Sequence, residues 1–204
     1  MSTPVIPFHK IKRAAVLGSG VMGSRIACHL AQTGSEVLLL DLPSAEGPRN
    51  AIADSHLQAA IKSHPSPLYS KRFAQSITTG NFDDDLAQIA NCDWIIEVVV
   101  ERLDIKQQLF ERVEQFRTPG TFITSNTSGI PLAQLSEGRS EDFQANFCGT
   151  HFFNPPRYLP LLEIIPGPKT KPEVLSFLEA YGERILGKQV VVCKDTPAFI
   201  ANRV

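Results

Sequence analysis

No stretch of this sequence is apolar for anything near the ~18–20 residues that a membrane-spanning helix requires, so membrane insertion is not expected. No charge of one sign dominates either. The 20 basic and 21 acidic side chains leave a net charge of −1, which gives nucleic acid or an anionic membrane surface no general reason to bind. Cysteine is scarce. Cys28, Cys92, Cys148 and Cys193 are scattered without disulfide-like or ligand-like spacing, so no metal is expected, the thiols read as buried and inert, and the expected setting is a reducing, cytoplasmic one. The opening Met1-Ser2-Thr3-Pro4-Val5-Ile6-Pro7 lacks the basic and long apolar regions of a signal peptide. Internal repeats and low-complexity tracts are also missing. What is present, 204 residues at 43% hydrophobic and 20% charged, suits a globular domain with one sizeable core.

Short apolar runs punctuate the chain: Ala14 to Leu17, Val37 to Leu40, Trp94 to Val100, Thr121 to Thr124, Phe147 to Phe153, Leu161 to Ile165 and Val190 to Val192. They are continuous rather than alternating, as strands covered on both faces must be. Helical spacing falls between several of them, over Val21 to Gln32 with Gly34 as a stop, Leu103 to Phe116, and Lys171 to Leu186. Strand and helix in alternation predict an α/β fold, a doubly wound, mostly parallel sheet of the Rossmann type with helices on both faces. Pro43 to Asp85 breaks the rhythm and reads as an excursion from the sheet with a helical patch around Ala51 to Lys62. The last ten residues, from Asp195, read as the start of a helix capped by Asp195 or Thr196, with Pro197 in its first turn.

Gly18-Ser19-Gly20-Val21-Met22-Gly23 follows the first strand and opens the first helix. In that context the first glycine allows a tight turn, the second lets a pyrophosphate approach the backbone, and the third lets helix and strand pack closely. The positive end of the helix then faces the phosphates. Asp41 closes the second strand about 20 residues on, where its carboxylate would accept hydrogen bonds from the adenine-side ribose and repel a 2′-phosphate. No arginine adjoins it. NAD is therefore expected over NADP, while the glycine motif alone leaves FAD open.

His151 lies near the end of an apolar strand, where ligands of open α/β sheets collect, and an imidazole can take a hydroxyl proton near neutrality. Glu163 lies inside Leu161-Leu162-Glu163-Ile164-Ile165, where an unpaired buried carboxylate would cost several kcal/mol. His151 on a nearby strand is its natural partner, and the carboxylate would fix the imidazole tautomer. The alternative is a solvated Glu163 on an edge strand. Glu97 is a second carboxylate in an apolar strand, with no partner evident and a structural or a functional role equally open. Ser125-Asn126-Thr127-Ser128 follows a strand end, as either a hydrogen-bonding site or an ordinary polar turn.

Together these residues resemble the 3-hydroxyacyl-CoA dehydrogenase family over essentially the whole chain. The resemblance is carried by Val16 to Gly23, Glu101 with Lys106, Ser125 to Ser128, Gly149 to Pro155, and Lys194-Asp195-Thr196-Pro197 through Asn202-Arg203. It implies an NAD-dependent oxidation of 3-hydroxyacyl-CoA to 3-ketoacyl-CoA in fatty-acid β-oxidation. His151 would be the catalytic base and Glu163 its orienting partner. Ser128 and Asn202 would contact the substrate's 3-oxygen, and Asn154 would help shape the site. Glu101, Lys106, Asn126 and Ser128 would surround the nicotinamide half of NAD. Residues 1–194 would form the NAD-binding domain and 195–204 the start of a connection to a helical domain, so this stretch alone would bind NAD with little turnover. The parent would be a homodimer or a multifunctional fusion. Two departures stand out. Ala198 replaces a common glycine, and Ala45 to Asp83 lacks the charged helical hairpin the family uses against CoA, as in the branch fused ahead of an enoyl-CoA hydratase domain. Lys62, Lys71 and Arg72 read as solvated charges, with CoA phosphates the alternative. A β-hydroxyacid dehydrogenase and a catalytically silent NAD-binding module are the competing readings.

Overall fold

Successive side chains of a strand point to opposite faces, so a run that is apolar at every position needs a hydrophobic layer on each side. The computed structural model, which describes residues 11–203, supplies both layers. The opening Met1 to Pro7, read above as lacking signal-peptide features, and the final Val204 lie outside the described residues. Eight strands form one sheet: β1 (Arg13–Leu17), β2 (Glu36–Asp41), β3 (Ile77–Asn81), β4 (Trp94–Glu97), β5 (Phe122–Ser125), β6 (Phe147–Phe152), β7 (Leu161–Pro166) and β8 (Gln189–Val192), in the order β3-β2-β1-β4-β5-β6-β7-β8. β1 to β6 are parallel. β7 runs antiparallel to β6, and β8 is parallel to β7.

The helices are α1 (Val21–Ala31), α2 (Ala51–Lys62), α3 (Leu103–Phe116), the short α4 (Leu132–Leu135) and α5 (Glu141–Ala145), and α6 (Pro172–Arg184). Ala14 and Val16 of β1 pack with Ile26, Leu57, Phe177 and Tyr181 beneath α1, α2 and α6. Ala15 and Leu17 face the other way, onto Phe110, Val113, Leu132 and Phe143. Full burial of each larger side chain among these, such as Val16, Leu17 or Phe110, contributes roughly 1.5–3 kcal/mol, so neither layer is dispensable. Among the described residues no helix is long and apolar enough to cross a membrane.

Two expectations need correction. The segment read as an excursion contains α2 where the helical patch was expected, but then returns to the sheet as β3. Ile77-Thr78-Thr79-Gly80-Asn81 is an edge strand beside β2, exposed at Thr78, and carries no apolar run to announce it. Near the chain end, Pro197 does not start a regular helix. Ala198 and Phe199 take positive φ (62° and 48°) and only a single turn follows, over Ala201–Arg203. The alanine that replaces a common glycine therefore sits in a left-handed conformation, which costs a non-glycine residue about 1–2 kcal/mol.

Candidate functional site

Because β1 to β6 are parallel, Gly18, Asp41, Glu97, Ser125 and His151 all collect at one edge of the sheet. The strand order reverses between β1 and β4, which opens a crevice at that edge. From β1 to β6 is three strand spacings of ~4.8 Å, or about 14 Å.

The glycine turn is shaped as a cradle. Gly18 has φ +106° and its N–H donates to the Leu40 carbonyl at 2.7 Å. A Cβ there would come within 2.6 Å of the Val98 carbonyl oxygen, and one on Gly23 would run into the Gly18 carbonyl oxygen. A Cβ on Gly20 meets nothing within 4 Å, so the space above this residue is open. The first turn of α1 carries neither a capping side chain nor an acidic residue, which leaves its amides and the positive end of its dipole to an anion. These residues fit a dinucleotide pyrophosphate. Ser19, Val21 and Met22 complete the turn, with Val21 62% exposed at its lip.

Asp41 ends β2 and accepts hydrogen bonds from the Ser19 amide (2.6 Å), the Ser19 hydroxyl (2.5 Å) and the Leu42 amide (2.7 Å). It borders a largely apolar cavity of about 290 Å³ with Gly18, Leu42, Phe82, Val98 and Ile105. That combination fits an adenosine, with the ring against the apolar wall and the ribose toward the carboxylate.

At the ends of β4 and β5 the partner that sequence left unidentified is Lys106. Its ammonium lies 2.6 Å from Glu97 Oε1 and 3.3 Å from Glu101 Oε2, and both Lys106 and Glu97 are buried. The remaining Glu97 contacts come from the Val99 amide (2.7 Å) and the Ser125 hydroxyl (2.5 Å). Burial lifts the Glu97 carboxyl above its ordinary value against the pull of Lys106. Every one of these partners is a donor, however, so the site is built for the ionised form. Glu101 is the half-exposed member of the trio. Partial burial pushes its carboxyl up, but Thr127, Lys106 and the Ser128 amide outweigh that and hold it below the usual range. Its Oε1 takes the Thr127 hydroxyl (2.5 Å) and the amides of Ser128 (2.8 Å) and Gly129 (3.2 Å), which ties the polar turn to α3. Asn126 Oδ1 accepts from the Phe152 amide at 2.9 Å and so links that turn to β6.

His151 and Glu163 are directly opposite in the β6–β7 register, with Nδ1 2.8 Å from Oε2. The other carboxylate oxygen accepts from the amides of Ile200 (3.1 Å) and Ala201 (2.9 Å). This carboxylate accepts the His151 Nδ1–H, which leaves His151 Nε2 as the free acceptor. The imidazole is walled by Phe153 and Phe199, at ring distances of 4.5 and 5.6 Å. Glu163 is not the solvated edge residue considered above.

Not every expected residue converges. Ser128 and Asn202 are exposed, and Asn202 approaches the pair only through its neighbours Ile200 and Ala201. Lys62, Lys71 and Arg72 are exposed. All four cysteines are free and buried. Burial pushes Cys28 and Cys92 up to about 12, and burial with the nearby Glu163 carboxylate raises Cys193 to about 11. Sequence reasoning missed His56, whose Nδ1 lies 2.8 Å from Ser19 Oγ. The Lys106 pairing did leave a signal. Lys106, Leu109, Phe110 and Val113 form the buried stripe of α3, so a lysine occupies a core-facing position there.

The family model for the 3-hydroxyacyl-CoA dehydrogenase NAD-binding domain matches residues 13–196. A probable 3-hydroxyacyl-CoA dehydrogenase of Bacillus subtilis is 49% identical over 96% of this chain and 27% of its own length. One from Deinococcus radiodurans is 48% identical over 96% of the chain and 57% of its own length. The chain thus spans between a quarter and about three fifths of these relatives. Among solved structures, a 3-hydroxybutyryl-CoA dehydrogenase from Escherichia coli superposes with a TM-score of 0.77 at 31% identity, over 96% of this chain and 40% of that one.

Proposed function

Since the chain belongs to the 3-hydroxyacyl-CoA dehydrogenase NAD-binding domain family, we propose that it is the cofactor-binding and catalytic-base part of an enzyme that oxidises the 3-hydroxyl of an acyl-CoA to a ketone. The observation that carries this reading is the His151–Glu163 pair, buried at the same sheet edge as the glycine cradle. Bound NAD would supply the hydride acceptor. His151 Nε2 takes the hydroxyl proton as the C3 hydride departs, and Glu163 steadies the imidazolium that results. Phe153 and Phe199 shield the ring from water. Ser128 and Asn202, both exposed, would contact the substrate oxygen once it is bound, and Glu101, Asn126 and Ser128 would contact the nicotinamide ribose. Lys106 acts through Glu101, because its own ammonium is turned inward.

We also propose that residues 1–194 are the NAD-binding domain and 195–204 the start of a connection, within a parent that is a homodimer or a fusion. The small share of the Bacillus subtilis relative that is covered supports a longer parent. The four free thiols support a cytoplasmic setting.

The full-length protein should reduce acetoacetyl-CoA with NADH and leave small 3-keto acids that lack CoA untouched, as followed by NADH absorbance. Reduction of the free acids with equal efficiency would instead indicate a β-hydroxyacid dehydrogenase. NAD binding without His151-dependent turnover of any acyl-CoA would indicate a silent binding module.

A further inference from the structure

We propose that His56 is a cofactor-discriminating residue, and that its imidazole, tied through the Ser19 hydroxyl to Asp41, makes the preference for NAD over NADP depend on pH. The inference rests on the NAD-binding reading above and adds a residue to it. Ser19 Oγ lies 2.5 Å from Asp41 Oδ2 and 2.8 Å from His56 Nδ1. A hydroxyl has one proton, and a carboxylate only accepts. The Ser19 proton therefore goes to Asp41, and His56 Nδ1 must donate its own to Ser19. That fixes the tautomer: Nε2 is an acceptor when the ring is neutral and a donor when it is charged.

The position of the ring gives this switch a target. His56 is half-exposed on α2 and borders two hollows. One is the cavity of about 290 Å³ that holds Asp41 and Leu42. The other, about 340 Å³, lies across the glycine turn with Gly20, Ser24 and Arg25. The charged groups facing the ring are few. Asp41 of β2 is 3.9 Å away, and Arg25 of α1 looks across the second hollow. β3, Ile-Thr-Thr-Gly-Asn, offers no charge. On α2 itself, Asp54 is engaged by Thr79 at 2.5 Å.

With His56 neutral, the Asp41 carboxylate stands as the nearest charge to an adenosine 2′ position, and a 2′-phosphate is repelled. Histidine is the side chain that gains charge as pH falls from about 8 to about 5. An imidazolium beside Asp41 cancels part of that repulsion. It favours both dinucleotides through their pyrophosphates, but favours NADP more, because only NADP places a phosphate next to Asp41.

The test is titration of the full-length protein with NAD and with NADP at about pH 8 and about pH 6. The ratio of the NADP to the NAD dissociation constant should fall by about two- to fivefold in the wild type, as expected for a half-exposed charge. His56→Gln keeps a hydrogen-bonding group near Ser19 but cannot titrate, so its ratio should change by less than the wild type's. Because both proteins meet the same ligands, the 2′-phosphate's own ionisation cancels in that comparison. His56→Ala, which lacks the bond to Ser19 as well, should match the glutamine variant in pH response. NAD binding by the wild type with the same pH response in His56→Gln overturns the role of His56 and leaves the NAD reading standing. No NAD binding by the wild type at either pH removes both.

Discussion

His151→Gln should lower turnover of the full-length enzyme by about 10²–10⁴-fold, the usual contribution of a positioned general base, and leave NAD affinity nearly unchanged. The separation of the two effects follows from place. His151 is at the end of β6, about three strand spacings from the glycine turn that would bind the pyrophosphate, and its ring is held by Glu163, Phe153 and Phe199 rather than by cradle residues. Glutamine retains a donor for Glu163 Oε2, so the buried carboxylate is not stranded. Steady-state kinetics with a 3-hydroxyacyl-CoA, paired with an NAD titration, reads both quantities. Unchanged turnover removes His151 from the chemistry. Lost turnover with NAD affinity lost in parallel makes it a structural residue.

The second large effect concerns stability. Lys106→Met leaves Glu97 at 0% exposure without its cation, and breaking a buried pair from one side costs about 3–5 kcal/mol. In a domain of this size that is a fall of roughly 6–20 °C in the midpoint of thermal unfolding. Adding Glu97→Gln should return part of the loss, since the amide oxygen can still accept from the Val99 amide and its NH2 can donate to the Ser125 hydroxyl while no charge remains buried. The double-mutant comparison isolates the charge from the shape. If Lys106→Met alone unfolds at the wild-type temperature, the Lys106–Glu97 pair is not the internal brace described above. NAD affinity should fall with it, because Glu101 loses the cation 3.3 Å away that helps keep it ionised at the mouth of the site.

Much of the site was legible in the sequence because it obeys local rules. The glycine spacing follows from a turn that must be tight at Gly18 and close-packed at Gly23. Asp41 follows from its place at a strand end, and Glu163 from the cost of an unpaired carboxylate in an apolar strand. His151 could be matched to it as the titratable side chain on a nearby strand, and the β6–β7 register sets the two directly opposite. The rest depended on contacts that the alternation of strands and helices does not give. Glu97 meets Lys106 nine residues on, across a loop and the first turn of α3, where a lysine in the buried stripe was the signal to read. His56 reaches the glycine turn from a helix in the segment that showed least periodicity. β3 escaped notice because an edge strand beside β2, covered on one side by α2, can afford threonines. At the chain end, the proline suggested a helix start, whereas Glu163 draws the backbone amides of Ile200 and Ala201 inward and holds the preceding residues in a left-handed turn.

A crystal structure of the full-length protein with NAD tests the account most directly. The adenosine should lie in the cavity beside Asp41, the pyrophosphate over Gly20, and the nicotinamide at the carboxyl ends of β5 and β6, with His151 Nε2 facing it across room for one substrate carbon. A nicotinamide placed on the β3 side of the glycine turn, or a His151 ring turned away from it, would contradict the assignment of this pair to the oxidation step.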